Sequence, residues 1–152
     1  MVYFRLIEDL PERTPLGYGL AGGRWNSSGT PMIYACNCSS LNFLELLSIK
    51  GSTVTTSLWL LVQLEITGEI PLLSVDHLPN NWKDRPYPQS TQEFGTQWAK
   101  RQFSPALKVP SCRIPVSRFP QEHNLLINPL HGAFAKTVRI IGVEKVSFEV
   151  NR

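Results

Sequence analysis

Nothing in this sequence stays apolar for long. No stretch of its 152 residues approaches the roughly 20 consecutive apolar positions that a membrane-crossing helix needs. Cysteine is scarce, with only Cys36, Cys38 and Cys112. An odd number cannot close a full disulfide framework, and one intervening residue is too tight for an ordinary Cys36–Cys38 bridge. Free thiols are therefore expected. Zinc-type spacings such as CxxC or HxxxH are missing too, so a metal site built from these thiols and His77, His123 or His131 has no ligand pattern behind it. Lysine and arginine never form a run and do not alternate with aromatics, which argues against direct nucleic-acid contact. The N-terminal residues Met1-Val2-Tyr3-Phe4-Arg5 read as a strand rather than as a basic-then-apolar leader, so the expected compartment is the cytoplasm.

What is present suits one compact domain, taken here as residues 1–152. Hydrophobic residues make up 42% of the chain, and a chain this long buries roughly 70% of its unfolded surface. The formal charge of +3 and pI near 8.9 suit an anionic ligand, although many proteins that bind nothing negative share them. Twelve prolines and ten glycines are scattered, and there is no repeat, low-complexity tract or linker.

Val2–Ile7 reads as a strand, Glu8–Thr14 as a turn, and Met32–Cys36 as a second short strand. Ser39 or Ser40 can cap a helix to about Lys50, with Gly51 placed to end it. Ser57–Thr67 is the clearest strand, apolar on both faces in its first half and therefore central. Val75–Pro88, with three prolines, reads as a surface excursion. Ser90-Thr91-Gln92-Glu93 matches a capping box opening a helix to about Phe103. Leu107–Ile114 and Asn124–Ile127 follow as strands, then Thr137–Val143 and Lys145–Val150 as a terminal hairpin. Such an order is α+β and not a regular βαβ alternation. Trp59 and Trp82 could be interface residues or core.

Gly17-x-Gly19-x-x-Gly22 spells a dinucleotide fingerprint, but Gly23-Arg24-Trp25-Asn26 and a turn follow it where a helix should open, so that reading fails. Four glycines between positions 17 and 23 still suggest backbone that approaches a ligand closely. Arg24 directly after them could grip a pyrophosphate through forked, charge-assisted bonds, or could simply pin the loop. Tyr34 could stack on a flat ring or fill the core. Glu45 shares a helix stripe with Leu41 and Ile49, so it lies at the stripe's edge or points into a sheltered pocket. Arg5 is an unusual charge inside a strand, or an edge residue facing water. Taken singly, each has a structural explanation.

Taken together, they carry a resemblance. Gly22-Gly23-Arg24-Trp25-Asn26-x-x-Gly29-x-Pro31-x-Ile33-Tyr34-Ala35, Leu44-Glu45, the Trp98 helix, Val109-Pro110-Ser111 and Asn124-Leu125-Leu126-Ile127-Asn128-Pro129-x-His131 resemble the RES-domain family. The blocks run in order from Arg5 to about Phe134 and cover most of the chain. The resemblance implies the toxin half of a bacterial toxin–antitoxin pair. It further implies an α+β fold similar to ADP-ribosyltransferases, with two small, mostly antiparallel sheets flanked by helices. NAD would be the substrate, cleaved at the nicotinamide–ribose bond or used to transfer ADP-ribose to a protein, without a metal. Catalytic roles fall on Arg24, Tyr34 and Glu45, and NAD-binding roles on Arg5, Arg24, Tyr34 and Ser111. The implied partner is an Xre-like helix-turn-helix antitoxin that blocks the active site, and the toxin could be a homodimer within that complex. Two other classes stay open: a ribonuclease toxin using His77, His123 and His131, and a non-catalytic binding module.

Overall fold

The computed structural model describes residues 1–150. Six strands form the domain: β1 (Val2–Glu8), β2 (Ile33–Cys36), β3 (Trp59–Ile66), β4 (Ala106–Val109), β5 (Asn124–Ile127) and β6 (Val138–Val146). Helices α1 (Ser39–Lys50), α2 (Gln89–Lys100) and the single turn α3 (Phe134–Thr137) complete it. All paired strands are antiparallel, in the order β4-β5-β2-β1-β3-β6. The α+β class is therefore as expected, but the expected two small sheets are one six-stranded sheet. The reason lies at its middle. β2 pairs along its whole length with β5, whereas it meets β1 at the single position Phe4–Cys36. Two well-knit halves thus share a narrow seam.

Period-2 alternation sorts the side chains onto two faces. Tyr3 and Ile7 of β1 lie with Ile33, Val62, Leu64, Leu125 and Ile127 in one buried cluster, covered by Leu16, Ile70 and Phe134. On the opposite face Trp25, Trp82, Trp98, Leu107, Val109 and Leu126 form a second cluster, while α1 packs over β1 and β2. Trp59 and Trp82 are both buried, so core packing accounts for them, and the Trp59 indole N–H donates to the Val54 carbonyl at 2.9 Å. β3 is an interior strand between β1 and β6, as its two-sided apolar pattern requires, but it lies second from the sheet's edge and not at its centre.

Several boundaries differ from the sequence reading, each for a local reason. The terminal hairpin is one continuous strand, β6. It pairs along β3 with a register shift opposite Gln63 and Leu64, and such a bulge lets the strand run on without turning. β4 stops at Val109, where Pro110 can donate no ladder hydrogen bond. The capping box does not form: Ser90 Oγ donates to Asn81 Oδ1 at 2.9 Å, and Pro88, two residues before Ser90, takes the cap position of α2. Gly51 does end α1, with φ 60°. All three cysteines are free, and Cys36 is buried.

Two features of this packing are testable. α2 presses so closely on the glycine-rich segment that a Cβ on Gly95 would sit 1.6 Å from the Trp25 carbonyl oxygen. Gly95→Ala should cost about 3 kcal/mol of stability, at the upper end for overpacking, read from the urea midpoint. His123 is 2% exposed, with Nε2 2.8 Å from Tyr3 Oη. Burial holds its pKa below the ordinary value, with Lys108 adding in the same direction against the Pro120 carbonyl. The folded protein keeps this ring neutral, while the unfolded chain takes up a proton near pH 6.5. Stability should be full above about pH 6.5 and fall as pH drops below it. Thermal melts from pH 8 to 5.5 should show a flatter profile for His123→Gln than for the wild type. Equal slopes would remove His123 as the cause.

Candidate active site

The sheet's seam opens into a cleft of about 230 Å³. β1 supplies Leu6, β2 supplies Tyr34, Ala35 and Cys36, and α1 supplies Asn42, Glu45, Leu46 and Ile49. The glycine-rich segment adds Gly23, Arg24 and Trp25. Tyr87, Pro110, Cys112, Arg113 and Asn124 close the remaining sides. Residues 21 positions apart in sequence, Arg24 and Glu45, thus face one space, with Tyr34 on the strand between them.

Glu45 sits in a set of donors. Ser111 Oγ donates to Oε1 at 2.8 Å and itself accepts from the Arg113 backbone N–H at 3.0 Å. Because that N–H occupies a lone pair of the hydroxyl oxygen, the Ser111 proton is left for the carboxylate. Asn124 Nδ2 donates to Oε2 at 3.3 Å. Arg113 lies alongside with Nε 3.7 Å from Oε1, beyond hydrogen-bond reach, and this Nε is buried without another partner.

Arg24 is anchored from one side only. Its Nη1 donates to the carbonyls of Trp82 at 2.6 Å and Asp84 at 3.0 Å, and its guanidinium lies 5.0 Å from the Tyr87 ring centroid. Its Nη2 is a buried donor with no protein partner. An anchored guanidinium lining the cleft meets an anion without having to be ordered first, and its unpaired Nη2, shielded from solvent, becomes a donor to that anion once a small shift exposes it. The backbone of the glycine-rich segment is less available than its composition suggests: the Gly23 N–H donates to Asn26 O at 2.9 Å and the Trp25 N–H to Tyr34 Oη at 3.1 Å. Tyr34 Oη in turn donates to Asn26 Oδ1. Burial raises the pKa of Tyr34 well above that of an ordinary phenol, so it stays protonated and keeps that donor role. Its hydroxyl is spent on the loop, and its ring forms part of the cleft wall.

Of the residues singled out from sequence, Arg24, Tyr34 and Glu45 come together in the cleft. Ser111 is 2% exposed and meets Glu45 rather than the open space. Arg5 stands apart. Strand alternation places it on the face opposite Leu6, where Nη1 and Nη2 donate to Pro15 O and Gly17 O, each at 2.7 Å. Desolvation lowers its pKa to about 10, with Arg13 contributing. None of His77, His123 and His131 lines the cleft. Cys36, Asn42, Tyr87, Arg113 and Asn124 were not singled out. Tyr87 lies in the supposed surface excursion, whereas Arg113, two residues after Ser111, and Asn124, the first residue of a family-like block, carried signals that could have found them. Among the described residues, no group of three or more His, Cys, Asp and Glu converges as a metal ion would need. No helix among them is long and apolar enough to cross a membrane.

A single α+β domain that brings a carboxylate, an anchored guanidinium and a tyrosine ring into one cleft defines the class. Comparison with known proteins specifies it further. The RES domain family model matches residues 4–151, and the chain belongs to that family. It is 37% identical over 137 residues to a protein named Toxin Res from Yersinia enterocolitica, covering 88% of this chain and 87% of that one. It is 34% identical over 131 residues to the Prs ADP-ribosylating toxin of a Sphingobium species, covering 81% and 78% respectively. Among solved structures, a chain of the M. tuberculosis MbcT–MbcA toxin–antitoxin complex superimposes with a TM-score of 0.72 at 14% identity, covering 96% of this chain and 84% of that one. At that identity the match speaks for the fold.

The hydroxyl of Tyr34 gives the site a direct structural test. Tyr34→Phe leaves the Trp25 N–H and the buried Asn26 Oδ1 unpaired, which should cost about 2 kcal/mol. Gly23→Ala should act in the same direction, since its Cβ would lie 2.7 Å from Tyr34 Oη. A urea midpoint unchanged in both variants would show that this contact does not hold the loop.

Proposed function

We propose that this protein is the toxin of a bacterial toxin–antitoxin pair and that it binds NAD and cleaves the nicotinamide–ribose bond. One observation carries the reading: Arg24, with an unpartnered buried donor, shares a cleft with the donor-set Glu45 and the ring of Tyr34. Two arginines and one glutamate among the lining residues leave the cleft positive, which suits a pyrophosphate. Breaking the bond expels neutral nicotinamide and leaves positive charge on the ribose, as in glycoside hydrolysis. A carboxylate held against the ribose hydroxyls interacts more strongly as that charge grows, so Glu45 lowers the barrier and does more than bind. Tyr34 stacks on the nicotinamide, and Arg24 clamps the pyrophosphate. Ser111 acts on the ribose side through Glu45. Arg5 supports pyrophosphate binding by holding the segment that leads to Arg24. No step calls for a metal.

We read the whole chain, 1–152, as one RES domain working in the cytoplasm. An Xre-like helix-turn-helix antitoxin covers the cleft, with the toxin dimeric within the complex. The superposition on a chain of a toxin–antitoxin complex supports the antitoxin partner. A second reading, transfer of ADP-ribose to a protein, is favoured by the name of the Sphingobium relative.

Purified protein incubated with NAD alone separates the two. Free nicotinamide with free ADP-ribose, or with its phosphate ester in phosphate buffer, supports cleavage. ADP-ribose found only on added protein supports transfer, and intact NAD under both conditions overturns both. Glu45→Gln should fold normally and lose at least about a hundredfold in NAD turnover. A fully active variant would remove Glu45 from the mechanism.

A further inference from the structure

Glu45 constrains more than the residues it touches. An ionised carboxylate only accepts hydrogen bonds, so the Asn124 side chain must turn its Nδ2 toward Glu45 Oε2, at 3.3 Å. Its Oδ1 then faces Cys36 and accepts the thiol proton, at 3.1 Å. With its proton committed, Cys36 Sγ can only accept, and Asn42 must present Nδ2 to it, at 3.2 Å. The polarity of every bond follows from one charge. The route also returns to its origin, since Asn42 and Glu45 lie three residues apart on one face of α1. Cys36 on β2 and Asn124 on β5 are directly paired across the sheet.

We propose that Asn124, oriented by Cys36 and Asn42, is a positioning residue that locks the Glu45 carboxylate, and α1 with it, over the seam of the sheet. The inference rests on the NAD-cleaving reading for its catalytic meaning. Two independent observations support it. Asn42 is 8% exposed, yet its Oδ1 has no partner. A residue kept only for packing at this depth would be apolar, and the orphan oxygen is what remains once Nδ2 is held to the thiol. Burial and the neighbouring Glu45 also push the Cys36 thiol far above its ordinary pKa, so the S–H needed for the relay is always present. The ring closes through two strands and one helix, so rotating α1 on the sheet would break it. Ser111 holds the other carboxylate oxygen, and together the two donors leave Glu45 a single orientation.

The test compares kcat and KM for NAD in Asn124→Ala, Cys36→Ala and Cys36→Ser, with melting temperatures measured alongside. Loss of one bond to a catalytic carboxylate should lower kcat about tenfold in Asn124→Ala while KM stays within about twofold. Cys36→Ala should fall in the same way by a smaller factor. Cys36→Ser, which still donates a proton to Asn124, should recover most of that loss even if it melts lower. Equal impairment of the Ala and Ser variants, or losses that track melting temperature with kcat intact, would overturn the proposal. Should the wild type consume no NAD, the catalytic reading fails by itself, and the relay is read by NMR. The Asn124 side-chain amide resonances should then move in both Glu45→Gln and Cys36→Ala. Resonances unmoved in either variant would overturn the relay.

Discussion

The fold depends on how little β1 and β2 share. One paired position, Phe4 with Cys36, joins two halves of the sheet that are otherwise fully laddered. Strands that pair along their length leave no room between them, because neighbours lie about 4.8 Å apart. Strands that meet at a point can diverge, and the cleft occupies that divergence, with Leu6 on one side and Tyr34 and Ala35 on the other. α1 crosses above the same point. A cleft thus forms near the centre of the sheet without a break in the core beneath it, which Tyr3, Ile33 and Leu125 keep closed from the opposite face.

Charge is then distributed across that space by backbone and side-chain anchors. Arg24 is held by two carbonyls, and Glu45 by a hydroxyl and an amide. Arg24 makes no salt bridge among the described residues, and the ion pair of Glu45 with Arg113 is a long one, at 3.7 Å. Both charges therefore remain available to a ligand. Their anchors come from distant segments, residues 82–84 for the arginine and residues 111 and 124 for the glutamate. Such preorganisation is what electrostatic stabilisation of a developing charge requires.

Much of the local structure was legible in the sequence. The strand at Trp59–Ile66 announced itself through two-sided apolarity, and α1 through its terminal glycine, although neither Ser39 nor Ser40 caps it: Cys38 takes the cap position without a side-chain bond. Where the reading failed, a competing interaction took the expected partner. Ser90 could have capped α2, but Asn81 claims its hydroxyl. Residues 137–150 could have turned into a hairpin, but 138–146 run on as one strand, with a bulge against β3 absorbing the extra residue. The segment from Val75 to Pro88 looked like surface because of its prolines, yet it buries Trp82 and brings Tyr87 and two carbonyls to Arg24. Such outcomes depend on contacts remote in sequence, which periodicity does not report.

The sequence by itself determined the α+β class and the family, and it singled out Arg24, Tyr34 and Glu45, because their order and spacing form a pattern along the chain. Only the tertiary structure decided that Arg5 faces away from the cleft, that Ser111 serves Glu45, and that Cys36, Asn42, Arg113 and Asn124 surround it. The physical reason is the same in each case. Which face a strand residue takes, and which donor reaches a carboxylate, depend on how the strands are paired. In this protein the decisive pairing is a single residue long.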